Sequence, residues 1–575
     1  MAKKLLIAAL VVGLVAAFST SAMAESKVDF SGMFRVRAFY NNNFTLQGKQ
    51  AWESKKSYIE NYLIMDFKVM PTDNLTLNVG LITEKSNWGQ QGSPYFFSRP
   101  YGSGNNAATT TAPPQNNATS RVDTENDFEL RYFWADIKTS VGLFQIGRMP
   151  LKGFGLKTLG WTGSKVFASS PGTKELENSI DQMAWTLPSG PWTFGLVYQK
   201  KMEGDAGTGE GPLWDGSGTA PADGRMRNFA GRQYDQDWDL YGAWGMFKFA
   251  TGGVGLGAFY EQIKAQYIDL GSGEIANAPS PLPMSVLVPP QALANIDPAN
   301  RSIDGYLMSL IVPASVNFGP VGLHAQVNYS FGQLKWHLQP GALTQFTTAD
   351  GKVMEIKDSA SMESWILHAD ATYNYGPGVV GFQYTYISGD NTNTDYKIDG
   401  VLNLGADFYP LLITFDRGLN STVDHYYQAS AGGIGSTAGR GAAADVLYTN
   451  GYRGNGGNLW TLIGWVDHSL TEDMLVHAAL GYIDVLHPGQ NRWNNQNISR
   501  HFGTELDVSL IYTLMQNLTF QLDLGYFWAG SYFKQGWSNE DEIRRNAPAL
   551  AAGVDPSMAK VGNAYAVKSA LVLKF

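Results

Sequence analysis

Residues 561–575 read Val-Gly-Asn-Ala-Tyr-Ala-Val-Lys-Ser-Ala-Leu-Val-Leu-Lys-Phe. The apolar and aromatic side chains of this segment fall on odd positions, namely Tyr565, Val567, Leu571, Leu573 and Phe575. The even positions carry mostly alanine and lysine. Because successive side chains of a strand point to opposite faces, one face suits hydrocarbon and the other suits water. The segment therefore predicts a transmembrane β-strand that ends on an aromatic carboxyl terminus.

The other end of the chain has the layout of a secretory signal peptide. Lys3 and Lys4 form a basic start, residues 5–18 are apolar or small, and Ala22-Met23-Ala24 offers a cleavage site. The apolar stretch is too short for a stable membrane span, so an N-terminal anchor is the less favoured alternative. We predict a signal peptide at residues 1–24 and a single barrel domain at residues 25–575.

The composition excludes several classes of protein. The absence of cysteine rules out disulfides, thiolate metal sites and covalently attached haem. A formal net charge of −9 argues against nucleic acid as a partner. No stretch after the amino terminus approaches the roughly 18 apolar residues of a membrane helix, so a membrane location requires a closed barrel.

Strand candidates recur in pairs that are joined by very short turns. In the clearest pair, residues 501–515 and 518–533 flank Gln516-Asn517. Leucines and aromatics of the second member alternate with polar residues such as Gln521 and Asp523. An acidic face is intolerable in lipid and normal in a wet lumen, so the pattern predicts lipid outside and water inside.

Equivalent pairs recur along the chain: 56–71 with 75–86, 125–138 with 142–149, 179–188 with 191–202, 233–249 with 253–270, 303–318 with 321–338, 361–375 with 378–389 and 458–468 with 474–487. A first strand at 28–40 and a last at 561–575 complete the set. We predict an all-β, transmembrane antiparallel β-barrel of about 18 strands, with short periplasmic turns, long extracellular loops and both termini in the periplasm. A soluble sandwich is disfavoured because it would not keep this strict alternation of turn and loop.

Charged residues fall on the water-facing positions of these strands. By parity the basic ones are Arg35, Arg37, Lys68, Arg131, Lys201, Lys568 and Lys574, and the acidic ones are Glu60, Asp66, Glu129, Asp237, Asp239, Glu261, Asp370, Glu505, Asp507 and Asp523. A dry interior could not solvate so many ions, so these residues predict a hydrated, pore-lining surface.

Three of the bases, Arg35, Arg37 and Lys568, lie on the two strands that should close the barrel, and Glu505, Asp507 and Asp523 lie one or two strands away. Two interpretations follow. The charges could set up a transverse field across a constriction, or they could pair across neighbouring strands along one wall. Adjacent strands favour the second interpretation.

Two predicted loops carry unusual residues. Asp390, Asn393 and Asp395 offer oxygen ligands for calcium, but ordinary turn use is favoured because the spacing of an EF-hand is missing. Residues 281–290 are apolar, which predicts either an inward plug or a docking surface, the plug being favoured. Residues 390–457 are long enough to bind a partner.

No catalytic motif is present. His324, His368 and His477 fall on predicted lumen faces, but no triad spacing and no G-x-S-x-G motif accompany them. We predict no enzymatic activity and no cofactor.

Several motifs resemble known channels. Gly503-Thr504-Glu505-Leu506-Asp507, with residues 524–532, resembles the C-terminal signature of alginate-export-like outer-membrane channels, and Tyr386-Ile387-Ser388-Gly389-Asp390 resembles their strand-ending S-G-D. Ile146-Gly147-Arg148 is similar to a porin G-R element, and Phe575 is similar to the signal read by the barrel-assembly machinery. The resemblance implies a monomeric barrel of a Gram-negative outer membrane, with lipid and lipopolysaccharide around it and inward loops narrowing its charged lumen.

Three functions are therefore open. The leading hypothesis is a porin for diffusion of small hydrophilic solutes or ions. The second is a dedicated channel for a polysaccharide or a hydrophobic compound. The third is a structural or adhesin barrel, or a sheath around an electron-transfer cytochrome.

Overall fold

The computed structural model describes residues 27–42, 55–83, 86–87, 128–150, 154, 179–204, 236–266, 302–337, 345–347, 353–355, 357–389, 397–398, 411–413, 459–487, 499–532 and 562–575. The predicted signal peptide, the apolar residues 281–290 and the calcium candidates Asp390, Asn393 and Asp395 lie outside these ranges.

Eighteen long strands in the described ranges form the wall of the molecule. They are β1 Lys27–Asn42, β2 Lys55–Thr72, β3 Leu75–Thr83, β4 Phe128–Thr139, β5 Gly142–Pro150, β6 Ser179–Ser189, β7 Trp192–Gly204, β8 Gln236–Phe249, β9 Gly252–Gln266, β10 Ser302–Phe318, β11 Val321–Trp336, β12 Ser359–Asn374, β13 Gly378–Ile387, β14 Leu459–Ser469, β15 Met474–Val485, β16 His501–Met515, β17 Leu518–Ala529 and β18 Ala564–Lys574. Each strand pairs antiparallel with the next one in the chain.

The first and last strands close the sheet into a barrel. In the β1–β18 ladder Met33 is opposite Lys574 and Asn42 is opposite Tyr565. The backbone of Gly32 extends this ladder by exchanging two hydrogen bonds with Phe575, at 2.7 and 3.0 Å. Closure gives the first and the last strand a partner on both sides, so the sheet has no free edge strand. The predicted fold class is confirmed.

The short turns lie where the sequence places them. Gly190 and Gly319 each adopt a φ of 58°, a left-handed conformation that favours glycine, in the β6–β7 and β10–β11 turns. The largest differences from the predicted strands are at the loop ends, where the predicted limits at 270 and 533 become Gln266 and Ala529. After Ala529 the chain leaves the ladder for a short helical turn at Ser531–Tyr532.

The two faces of the wall differ as predicted. On β16, Leu506 and Val508 are 39% and 38% exposed. The residues that alternate with them, Glu505 and Asp507, are fully buried. Outward aromatics such as Tyr241 and Tyr260, with centroids 6.5 Å apart, line the outside in a band typical of membrane barrels. The outer face is therefore apolar and the inner face polar.

Shorter elements accompany the wall. Ser86–Asn87 pairs with β2, Gln345–Thr347 pairs with Val353–Glu355, and Lys397–Ile398 runs parallel to β12. Among the described residues, no helix is long and apolar enough to cross a membrane.

A charge placed on the outer face should destabilise the barrel. Leu524 lies near the middle of β17 and is exposed on the lipid side. Leu524→Arg should cost about 2 to 4 kcal/mol of folding free energy, because a charged side chain must be accommodated near the bilayer midplane. Urea titration of the protein folded into lipid vesicles measures this cost. Leu524→Ala is the control; an Arg variant no less stable than the Ala variant would contradict the assigned sidedness.

Candidate functional site

The inner wall from β3 to β7 is built from amide side chains. The Asn78 and Gln145 amides both donate to Asp136, at 3.0 and 2.7 Å, and the Gln199 amide donates to Gln182 at 3.0 Å. Neutral amides supply both donors and acceptors, so this side of the lumen is polar and surrounds the carboxyl group of Asp136 with donors.

The wall at β8 and β9 is aromatic. Trp244 and Phe259 point inward, and Phe154, which follows β5, lies over both rings at centroid distances of 5.3 and 6.0 Å. A Cβ atom at Gly257 would lie 2.4 Å from the Phe154 ring, so this glycine provides the space that the ring occupies. The Phe154 side chain is therefore held inside the barrel.

Several buried titratable groups lie on β12 and on the strands that follow it. Asp370 is buried in register with Gln383, and His368 Nδ1 lies 2.9 Å from the Thr385 hydroxyl. On the next two strands, Asp467 Oδ1 and His477 Nδ1 lie 2.6 Å apart in a buried hydrogen bond.

The closing strands bring the predicted acids and bases together. Lys568 of β18 is opposite Asp523 of β17 in the ladder and opposite Phe39 of β1 on its other side. The Arg37 guanidinium lies 4.9 Å from the centre of the Phe39 ring, within the range of a cation–π contact. Asp523 accepts a 2.8 Å hydrogen bond from the Gln521 amide. The charges thus share one wall of adjacent strands.

The acids of β16 have partners of another kind. Residues 411–413, which we call the inner strap, cross the inside of the wall. The Leu412 amide donates to Asp507 at 3.0 Å, and the Ile413 amide donates to Glu505. The Lys568 ammonium donates to the Leu412 carbonyl at 3.3 Å.

The structure places most predicted pore-lining residues on the inner face. Arg35, Arg37, Asp66, Lys68, Asp370, Glu505, Asp507, Asp523 and Lys568 lie there by register or burial. Asp66 accepts a hydrogen bond from the Tyr132 hydroxyl, and the Arg131 guanidinium lies 5.5 Å from the Tyr132 ring centre. The side chains of Glu60, Glu129, Asp237 and Lys201 lie outside the described residues.

Asp239 is the exception, and its predicted place in the lumen is wrong. Asp239 is two residues from Tyr241, so both side chains lie on the same face of β8, and Tyr241 is 46% exposed on the outside. The adjacent Leu240 is on the opposite face and is buried inside the barrel. On the outer face Asp239 pairs with Lys200 at 3.2 Å and accepts a hydrogen bond from Tyr198 at 3.0 Å. The parity rule failed because the inward residues of β8 are apolar and aromatic.

Sequence reasoning missed Phe154 and the inner strap as lumen residues. Leu411-Leu412-Ile413 is an apolar run within a long polar loop. The same signal drew attention to residues 281–290, so it could have indicated this segment as well.

Within the described ranges, no group of three or more His, Cys, Asp or Glu side chains could hold a metal ion. The inner wall offers charge, amides and aromatic surface, which suits the passage or weak binding of polar solutes.

The Asp467–His477 contact should stabilise the wall, because it satisfies a buried carboxylate. His477→Leu should cost about 3 to 5 kcal/mol, since breaking a buried pair leaves the acid without this donor. The double variant Asp467→Val with His477→Leu should cost less than the sum of the two single changes. Urea titration in vesicles checks this, and additive costs would show that the two side chains are not coupled.

The comparisons with known proteins returned only solved structures: no family model and no curated protein matches the chain. The chain is similar to Pseudomonas aeruginosa OccK8 (OprE) at 11% identity and a TM-score of 0.42, over 96% of this chain and 98% of that one. It is similar to P. aeruginosa OccK2 (OpdF) in complex with glucuronate at 10% identity and a TM-score of 0.41, over 96% of this chain and 98% of that one. It is also similar to the anion-selective porin from Comamonas acidovorans at 10% identity and a TM-score of 0.35, over 96% of this chain and 100% of that one. At such values the fold assignment rests on the strand pairing of this chain itself.

Proposed function

We propose that the chain is a porin of a Gram-negative outer membrane, which lets small hydrophilic solutes or ions diffuse through a water-filled lumen. One observation carries the proposal. A closed ring of 18 strands turns apolar side chains outward and amides, acids and bases inward.

The inner charges support a wet interior. Arg37, Asp370 and Asp523 are each inward-facing and at most 9% exposed, and they lie on strands distributed over half of the ring. Burying several ions in a dry core would cost several kcal/mol for each ion. Water or polar loop groups in the lumen remove that cost.

The narrower assignment to alginate-export-like channels remains a prediction. Its support is the run Gly503–Asp507 and the S-G-D at Ser388–Asp390. Two of the acids in that run, Glu505 and Asp507, bind the inner strap, so their contacts favour a role in loop placement over direct solute binding.

Purified protein should give discrete conductance steps in planar lipid bilayers, because a continuous aqueous path carries ions. Folding is checked in parallel by the heat-dependent shift in gel mobility that is typical of closed barrels. A silent bilayer with correctly folded protein would contradict the proposal.

The inner bases should influence ion selectivity. Arg37→Gln should shift the reversal potential in a KCl gradient toward cation preference, because it removes a positive charge from the lumen wall. Arg148→Gln is a matched control, since Arg148 lies on the outer face and pairs with Asp181 at 3.0 Å. Equal shifts in both variants would show that the inner position of Arg37 has no special effect.

A further inference from the structure

The inner strap is seated across three neighbouring strands. Leu411 lies over Gly481 of β15, the two strap amides bond to acids of β16, and Ile413 lies over Gly525 of β17. In the ladders Gly481 is opposite Glu505, and Gly525 is opposite Asp507. Each acid is thus next to a glycine that leaves space for a strap side chain.

The two glycines leave the space that the side chains of Leu411 and Ile413 occupy. A Cβ atom at Gly481 would lie 2.4 Å from Leu411 Cδ1, and one at Gly525 would lie 3.0 Å from Ile413 Cδ1. Larger residues at these positions would displace the strap. The three strap residues are 2%, 5% and 0% exposed, so the fit is close.

The strap supplies one backbone hydrogen-bond donor to each of the two acids. Glu505 and Asp507 are fully buried, and buried carboxylates need hydrogen-bond donors. The strap amides are such donors, and buried backbone N–H groups in turn need acceptors. Bonds from N–H groups to ionised carboxylates are roughly twice as strong as neutral ones. Lys568 adds a contact to the strap carbonyl between the two amides.

We propose that Glu505 and Asp507 are positioning residues that latch the inner strap onto the lumen wall, and that the latched strap narrows the passage. The two acids then set the width of the pore through the strap, and not its selectivity through their own charge. This inference rests on the proposed channel function.

The first test removes the latch. Glu505→Ala combined with Asp507→Ala should raise single-channel conductance on the order of twofold, because the strap no longer holds its place in the lumen. Asp239→Ala is the matched control. It is an acid of the outer face, bonded to Lys200 and Tyr198 rather than to the strap, and it should leave conductance unchanged.

The second test separates position from charge. Leu411 Cγ lies 3.2 Å from where a Cβ atom of residue 481 would be, which suits a disulfide between Leu411→Cys and Gly481→Cys. The chain has no other cysteine, so this bond forms without competition. The cysteine pair is added to the Glu505→Ala, Asp507→Ala variant. Oxidation should return the conductance of this protein to the parental value, and reduction should raise the conductance again. A raised conductance that persists in the cross-linked protein would overturn the inference.

A third variant covers the case in which the alanine changes prevent folding. Glu505→Gln with Asp507→Asn keeps shape and acceptors but removes the charge. A Leu412→Cys reporter should then react with a maleimide on the order of tenfold faster than in the parental background, because the strap bonds are weaker. An unchanged labelling rate would contradict the latch. Absence of conductance in every protein, including the parent, would instead contradict the channel function.

Discussion

Everything in this structure depends on the backbone hydrogen bonds that join the first strand to the last. Within a bilayer each unpaired N–H or C=O group costs several kcal/mol, so an open sheet of this size could not remain in lipid. The ladder between β1 and β18, extended by Gly32 and Phe575, removes both edges at once. Only after closure does the wall have an inside, and only then do its alternate side chains face two different media.

The inside that results is uneven. From β3 to β7 the wall presents amides around Asp136, at β8 and β9 it presents aromatic rings beside Glu261, and from β12 around to β2 it presents acids, histidines and bases. The inner surface therefore combines amides, aromatic rings and charged side chains in different proportions around the ring. Such a surface orients a polar molecule without binding it through a single strong contact.

Charge on the inner wall also organises the loops. Asp507 and Glu505 would be costly if they were buried alone, and the amides of residues 412 and 413 supply the donors that make their burial tolerable. On the aromatic side, Phe154 fills the space left by Gly257. At the acids, the strap supplies hydrogen-bond donors that the strands do not supply. At Gly257, the Phe154 ring fills space that the strand side chains leave open. Phe154 and the inner strap thus pack as part of the wall.

The order of residues is sufficient to define the strands and, for most of them, their sides. The turn residues Gly190 and Gly319 end strands because of their backbone conformation, and the alternation around Asp523 and Leu524 separates water from lipid because side chains have a period of two along a strand. These are local properties, and local sequence predicts them. Asp239 shows the limit, since its side depends on whether Leu240 faces lipid or an apolar part of the lumen, and parity alone assigns it to the wrong face. The place of the inner strap depends on tertiary structure entirely. Leu412 meets Asp507 across 95 residues of chain, and that contact exists only because closure of the barrel puts β15, β16 and β17 on one inner surface where buried carboxylates need donors.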